Sequence, residues 1–566
     1  MKPITCFLIV AAIAASPVAG AAEPGTRKPN ILLIFADDLG WQDVGFNDSS
    51  GFIETPHLDQ LARDGMVFTN GYAAMGNCAP SRACLLSGNY TPRHDVYAVG
   101  TTDRGRKSQM RLVPVPNTAG LTKEHVTFAD ELKTAGYATG IFGKWHFAAH
   151  PADLGFDVEP KPPLPGWDPK LPDFNGKEDP KGIYSMTGAA CRFMEENKDR
   201  PFFLYLPHNA IHTGLAARKS TLARFEAKKP DPRGRGALYA ACTHDLDDGV
   251  GLVLQKLKDL GLEDDTLVVF TSDNGATQQS SQEPLRGSKG GYYEGGIREP
   301  FIVRWPGVVK PGTKCDVPVI NVDLFPTFLA AAGATTAKTL DGESLLPLFK
   351  QDGPLRREAI FWHFPGYIDN PVNRGREIDV RAGFRSRPVS VIRKGDWKLH
   401  LFHEEWQLDG GREKLATNHA VELYHLSGDP GERENLANAN PTKRDELLAD
   451  LLTWFKSTGA KLPTRPNPAY EPGAVVRPAE RGTVPPSKRP KKGLSRKVKR
   501  EAAFKEFDTN GDGQVTLAEF KAGPESWTAS GNPEEVFKRI DTDTSGGFSL
   551  AEFKAYVPEN AGKDGR

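Results

Sequence analysis

Four short apolar runs, each ending on groups that can bind a ligand or move a proton, constrain this chain more than any other feature. Asn30–Ala36 runs into Asp37-Asp38, and Ala138–Phe142 runs into Lys144 and His146. Phe202–Leu206 leads to His208 and His212, and Thr266–Thr271 to Asp273-Asn274. Compact apolar runs of this kind predict buried strands. Helical stretches lie between them, which predicts an α/β fold: a mixed, mostly parallel sheet sandwiched by helices. In such sheets ligands bind beyond the carboxyl ends of the strands. Ordinary turn starts explain one or two polar strand ends. Four of them, delivering carboxylates, histidines and a lysine, point to one shared site.

At 566 residues the chain exceeds one ordinary core, and two or three domains are expected. Lysine plus arginine equals aspartate plus glutamate at 72 each, so the overall charge predicts no nucleic-acid partner. Met1-Lys2, the apolar run Ile4–Ala15, Pro17 and the small residues Ala19-Gly20-Ala21-Ala22 predict a signal peptide over 1–22. The run is shorter than the ~20 apolar residues of a membrane span, and no later stretch could cross a bilayer. An exported protein, periplasmic or extracellular, without a transmembrane anchor is therefore expected. Cys6 leaves with the signal; Cys78, Cys84, Cys191, Cys242 and Cys315 remain, with no zinc-like spacing. Cys242 lies on a helical stripe with Leu238, Leu246, Val250, Val253 and Leu257 and is expected to be a buried free thiol. The pairing of the others stays open.

Cys78-Ala79-Pro80-Ser81-Arg82 is followed by Leu86-Ser87-Gly88. Pro80 suits the first position of a helix, which places Cys78 just before a helix N-terminus. Backbone N–H groups there favour an anion, and Arg82, one turn on, could turn back to the same mouth. The pattern resembles the maturation signature of the type I, formylglycine-dependent sulfatases, arylsulfatase-like members of the alkaline phosphatase superfamily. Ordered matches continue through Ala36–Trp41, Gly143–His146, Ser272–Gly275 and Gly287–Gly290, so the resemblance runs from Asn30 to about Ala437.

That resemblance implies a sulfuric ester hydrolase in which a separate formylglycine-generating or equivalent maturase oxidises Cys78 to an aldehyde. Hydrated, the aldehyde carries two hydroxyls on one carbon: one attacks sulfur, and the other lets sulfate leave by carbon–oxygen cleavage. Asp37, Asp38, Asp273 and Asn274, with the converted Cys78, would hold calcium, and an all-oxygen side-chain set suits that hard ion. By the same resemblance Lys144 and Lys289 hold the sulfate oxygens and Arg82 orients the hydrate and the carboxylates. His212 protonates the leaving alcohol, and His146 assists the later step. Lys144, His212 and Lys289 would contact substrate, and His208 would be structural. Many relatives place proline before the histidine aligned with His212; Ile211 stands here. A phosphate or phosphonate ester hydrolase of the superfamily would typically show Ser or Thr as nucleophile and histidine-rich ligands for two zinc ions. A non-catalytic calcium-dependent glycan-binding protein would not need Lys144, His146, His212 and Lys289 together.

The catalytic domain is expected over 23–358 and a smaller α+β subdomain over 359–460, with Ser390–Leu399 and Val421–Tyr424 as antiparallel strands and Gly411 in a turn between them. A proline-rich, then basic linker follows over 461–500. An EF-hand pair is expected over 501–556. In its first loop Asp508, Asn510, Asp512, Gln514, Thr516 and Glu519 would ligate calcium, with Gly513 at the bend; in its second, Asp541, Asp543, Ser545, Gly547, Ser549 and Glu552. Substrate selectivity is expected from loops Gly100–Lys107, Pro160–Asp173 and Phe364–Arg387. Their aromatic and basic residues suit a sulfated poly- or oligosaccharide.

Overall fold

The structure, a computed structural model, describes residues 28–159, 178–277, 279–369, 384–473, 504, 507–510, 512–522 and 533–555. The expected signal peptide, the Pro160–Asp173 loop, the middle of the Phe364–Arg387 loop and the basic end of the linker lie outside the described residues. Residues 1–476 and 477–566 form two compact units.

The first unit is built on a seven-stranded sheet. Its spatial order is Ala138–Ile141, Phe202–Pro207, Asn30–Ala36, Thr266–Ser272, Ile302–Arg304, Met66–Phe68 and Thr313–Cys315. Only Ile302–Arg304 runs against the others. The central strand explains the unbroken apolar run. Ile31, Leu33 and Phe35 pack on one face with Phe128, Phe203 and Phe328, while Leu32, Ile34 and Ala36 pack on the other with Leu246, Val250 and Phe270. Each such Leu, Ile or Phe contributes about 1.5–3 kcal/mol by leaving water. The helix Ala237–Asp259 covers one face with Cys242, Leu246, Val250, Val253 and Leu257, all buried. Leu238, expected on that stripe, is instead 37% exposed because it lies in the first helical turn. The five cysteines described are all free thiols.

A second, antiparallel sheet orders Ala359–Phe364, Val389–Lys394, Trp397–Phe402 and Val421–His425, with the helix Pro441–Thr458 against it. The stretch Ser390–Leu399, expected as one strand, is a hairpin. Gly395 turns it with φ +58°, a conformation that glycine adopts without strain. Gly411 opens a short helical turn, Gly411–Lys414, between the last two strands. This sheet has no separate core: Trp362, Val391 and Leu399 share one with Tyr72, Met75, Ile297 and Ile320. Residues 461–473, expected as spacer, are tied to the unit. Arg465 O accepts from Val113 N at 2.9 Å, Asn467 N donates to Arg111 O at 2.9 Å, and Glu471 N donates to Ser108 O at 2.9 Å. Proline in an extended chain leaves neighbouring residues free to pair, which is what this segment does.

The second unit has its own core of Phe504, Phe507, Val515, Phe520, Val536, Phe537, Ile540, Phe548 and Phe553. Gln514–Thr516 pairs antiparallel with Gly547–Ser549, joining the two expected calcium loops. Gly513 and Gly546 take φ of +84° and +89° at the sharp bends. Among the described residues, no helix is long and apolar enough to cross a membrane.

Candidate active site

The four parallel strand ends meet as expected. Asp37 and Asp38 follow the central strand, Asp273 and Asn274 follow its neighbour, and the chain after Phe202–Pro207 is tied across by Ile211 N donating to Asp37 O at 2.7 Å. Lys144 N reaches Pro207 O at 2.7 Å, which sets the lysine above the next strand. Asp38 and His146 take φ of +65° and +84°, a left-handed conformation that costs non-glycine residues on the order of 1–3 kcal/mol. Such strain concentrates where a side chain must be aimed.

Cys78 enters from a fifth element, the helix Cys78–Ser87. The helix begins two residues earlier than Pro80 suggested: Cys78 is its first residue, and Asn77 precedes it in extended conformation. Proline is tolerated at the third helical position because the first N–H groups have no partner inside the helix anyway. Every residue of this helix is buried, and Cys78 is 1% exposed. Its Sγ lies 3.0 Å from Lys289 Nζ, 3.6 Å from Asp37 Oδ1 and 3.8 Å from Asp38 Oδ1. Burial, and then Asp273, push the thiol pKa well above its ordinary value.

Each of the three expected catalytic cations has a carboxylate partner. Lys144 Nζ pairs with Asp37 and Lys289 Nζ with Asp38. Arg82 Nε and Nη2 both donate to Asp273 Oδ2, at 3.0 and 2.7 Å. Despite complete burial, Arg82, then Lys144 and Lys289, hold Asp273 well below the usual carboxylate range. Asp37 moves the other way, pushed up to about 7 by burial and then by Asp273 and Asp38. His146 falls to about 3 through desolvation and the nearby Lys144 and Arg82. His212 Nε2 stands 3.9 Å from Asp38 Oδ2, and its pKa is lowered by burial against the pull of Asp38.

The oxygen cluster fits a cation. Ligand atoms of Asp37, Asp38, Cys78 and Asp273 lie within 4.8 Å of one another. Asn274 Nδ2 donates to Asp38 Oδ1 at 2.8 Å, while Asn274 Oδ1 and Asp38 Oδ2 are buried with no hydrogen-bond partner. The three carboxylates already have cations, but these two orphaned acceptors leave oxygen lone pairs free for a bound cation or a hydrogen-bond donor.

A cleft of about 530 Å³ opens onto this cluster. It is lined by Asp38, Cys78, His146, His212 and Lys289 from the expected set. Lys144 and Arg82 stand behind that lining, and His208 is fully buried outside it. Asn77, Arg104, Thr213, Thr277, Gln279, Ser288 and Arg385 also line the cleft and were not singled out from sequence. Arg104 and Arg385 do fall in two of the loops expected to set selectivity. A groove of about 650 Å³ elsewhere, between His57, Tyr184, Arg218 and Arg304, contains none of the expected catalytic residues.

Known proteins resemble this chain over most of its first unit. The Sulfatase family matches residues 29–334, the C-terminal family of N-sulphoglucosamine sulphohydrolase matches 288–456, and the EF hand matches 501–523. A sulfatase of Formosa agariphila is 32% identical over 510 residues, covering 75% of this chain and 88% of the relative. Human arylsulfatase A is 33% identical over 481 residues, covering 75% of this chain and 86% of the relative. A crystal structure of Ps i-CgsB in complex with k-i-k-neocarrahexaose is 28% identical with a TM-score of 0.57, covering 78% of this chain and 95% of that one.

Proposed function

The chain belongs to the sulfatase family and hydrolyses sulfate esters, and we propose that its substrates are sulfated poly- or oligosaccharides, cleaved with formylglycine at position 78 and a calcium ion. The convergence of Cys78 Sγ, Lys289 Nζ and the buried Asp37–Asp38–Asp273–Asn274 cluster at the floor of an open cleft carries this proposal. The carbohydrate part draws support from the neighbour solved with neocarrahexaose and from the breadth of the cleft.

Matured and hydrated, formylglycine supplies a nucleophilic hydroxyl and a second hydroxyl through which sulfate can depart. A calcium ion held by Asp37, Asp38, Asp273 and Asn274 supplies positive charge beside that group. The chain's own residues supply the rest. Lys289, in contact with the reacting position, opposes negative charge that grows on the sulfate oxygens, and Lys144 adds to that field from behind Asp37. Arg82 keeps Asp273 aimed through two hydrogen bonds from one buried guanidinium. His212 lines the cleft where a leaving oxygen would lie, and an anionic substrate beside it would raise its pKa toward the protonated form that an acid needs. His146, held neutral, is suited to accept a proton at position 78 rather than to give one.

The test pairs two readouts on the wild-type enzyme: release of inorganic sulfate from a panel of sulfated glycans beside a small aryl sulfate, and the mass of the peptide containing position 78. Glycans should be the better substrates by kcat/KM, and the peptide should carry the aldehyde. Release from the aryl sulfate alone would remove the glycan proposal. Full activity with an unmodified cysteine would remove the formylglycine proposal.

A further inference from the structure

We propose that Arg385, with Arg104 beside it, forms a subsite that reads a second oxyanion on the substrate, a sulfate or carboxylate group near the ester being cleaved. The inference rests on the sulfated-glycan reading above and narrows it to polyanionic glycans.

Charge balance around the cleft singles out Arg385. Lys144, Lys289 and Arg82 are each matched by a carboxylate, and Arg104 Nη2 meets Asp369 Oδ1 at 3.0 Å. Arg385 has no ion pair among the described residues, and its Nε is buried with no hydrogen-bond partner. Leaving a guanidinium half-buried and unpaired is costly unless something else supplies the acceptor. Asp38 and Asp369 act on it only at a distance, and Arg104 repels it.

The position is held firmly. Arg385 lies in the strand Phe384–Ser386 between two buried residues, with the Phe384 ring 4.8 Å from that of Tyr367. Its aliphatic stem crosses Gly290, where a Cβ would come within 2.4 Å of Arg385 Cδ. Only glycine lets the stem pass there, and Gly290 directly follows Lys289. The geometry therefore fixes an unmatched guanidinium alongside the catalytic lysine in the same cleft. A guanidinium is shaped for two-point contact with sulfate or carboxylate oxygens, while Thr213, Thr277 and Gln279 offer uncharged contacts suited to hydroxyls.

The test uses Arg385→Met, which keeps the stem over Gly290 and deletes the charge. Three matched oligosaccharides serve as substrates: one with a single sulfate ester, one with a second sulfate, and one with a uronate carboxylate. Against wild type, the ratio of kcat/KM for a doubly anionic substrate over the singly anionic one should fall roughly 10- to 100-fold, mainly through KM. Arg385→Lys should recover part of the loss. Whichever doubly anionic substrate loses its advantage identifies the second group as sulfate or carboxylate. Equal losses on all three substrates would place Arg385 on the scissile sulfate and overturn the proposal, as would an unmoved ratio. If the wild type releases sulfate from none of the three, the glycan reading fails; if it releases sulfate and the ratio holds, only the second-anion subsite fails.

Discussion

Two buried clusters of charge in the first unit are satisfied in opposite ways. Lys398 Nζ, with no exposed side-chain surface, donates to Glu294 Oε1 at 2.9 Å and lies 3.0 Å from Glu432 Oε1. Glu294 Oε2 takes Tyr72 OH at 2.7 Å, and Glu432 Oε2 takes Glu294 N at 2.6 Å, so all four carboxylate oxygens are used. His400 Nε2 closes the set at 2.9 Å from Glu432 Oε1. Around Cys78 the residue types are similar, yet Asp38 Oδ2, Asn274 Oδ1 and Asn77 Nδ2 are buried without partners. A closed network has nothing left to offer a ligand. The open one retains valence and faces a cleft. Orphaned atoms alone do not mark a site: His208 and Glu299 have them too, but neither lines the cleft. Convergence on an accessible space makes the difference.

Replacing residues in each cluster should separate chemistry from stability. The largest effect is expected from Cys78→Ala, which should lower sulfate ester hydrolysis by at least ~10⁴-fold by removing the precursor of the proposed nucleophile. Its thermal midpoint should stay close to wild type, since only a small side chain is shortened. Near wild-type turnover would dissolve the functional half of the comparison. Lys398→Met tests the other half. Removing the cation from two buried carboxylates should cost about 3–5 kcal/mol, read as a lower denaturant midpoint. The folded fraction should keep its turnover within about threefold, because no network atom lines the cleft. A stable but inactive Lys398→Met enzyme would show that the closed network is not merely structural.

Much of the open cluster was legible because local sequence carries it. Asp37, Asp38, Asp273 and Asn274 sit directly after their strands, and period and burial suffice to place a strand end. The closed network was not legible. It joins Tyr72, Glu294, Lys398, His400 and Glu432 from distant parts of the chain, and a lysine alternating with apolar residues in Trp397–Phe402 reads as a solvent-facing position. Arg385 was legible only as part of a loop, since its role depends on what fails to pair with it. The hairpin at Gly395 was missed because the apolar residues on both sides, Val391-Ile392 and Trp397 with Leu399, were read as one run across the polar Arg393–Asp396 turn. The helix start at Cys78 was displaced because proline is permitted at several first-turn positions, not one.

Acid should sharpen the contrast further. The folded-state pKa of Asp37, about 7, lies above its ordinary 3.8, so the metal-free fold prefers the protonated form. Its contribution to stability is full below about pH 4 and is lost as pH rises through about 7. A calcium ion bound by Asp37, as proposed, would have to displace that proton, so the rise in thermal midpoint on adding calcium to chelated enzyme should be small near pH ~5.5. It should grow by a few degrees toward pH ~8. Glu294 is held low by Lys398 and Arg298 despite burial, so it should not titrate in this range. A calcium shift that did not vary with pH would mean that Asp37 is not a ligand.

The smallest effect is expected from removing the second unit. Its core is drawn from residues 504–553, and its loops are organised internally. Asp508 accepts from Asp512 N at 3.1 Å and Gly513 N at 3.0 Å, and Asp541 accepts from Ser545 N at 3.0 Å and Gly546 N at 3.1 Å. Those carboxylates are held by backbone hydrogen bonds within their own loops, so any calcium they take should bind independently of the cluster around Cys78. A chain ending at Val476 should turn over a small aryl sulfate within about twofold of the full-length enzyme, with calcium held constant. The cut must spare 461–473. Ending the chain at Pro463 instead removes Arg465, Asn467 and Glu471, which are bonded to 108–113, and should lower the thermal midpoint by several degrees. If the Val476 chain, folded and fully matured, lost most of its turnover, the second unit would belong to the active site, and the open cluster around Cys78 would not be complete within the first unit.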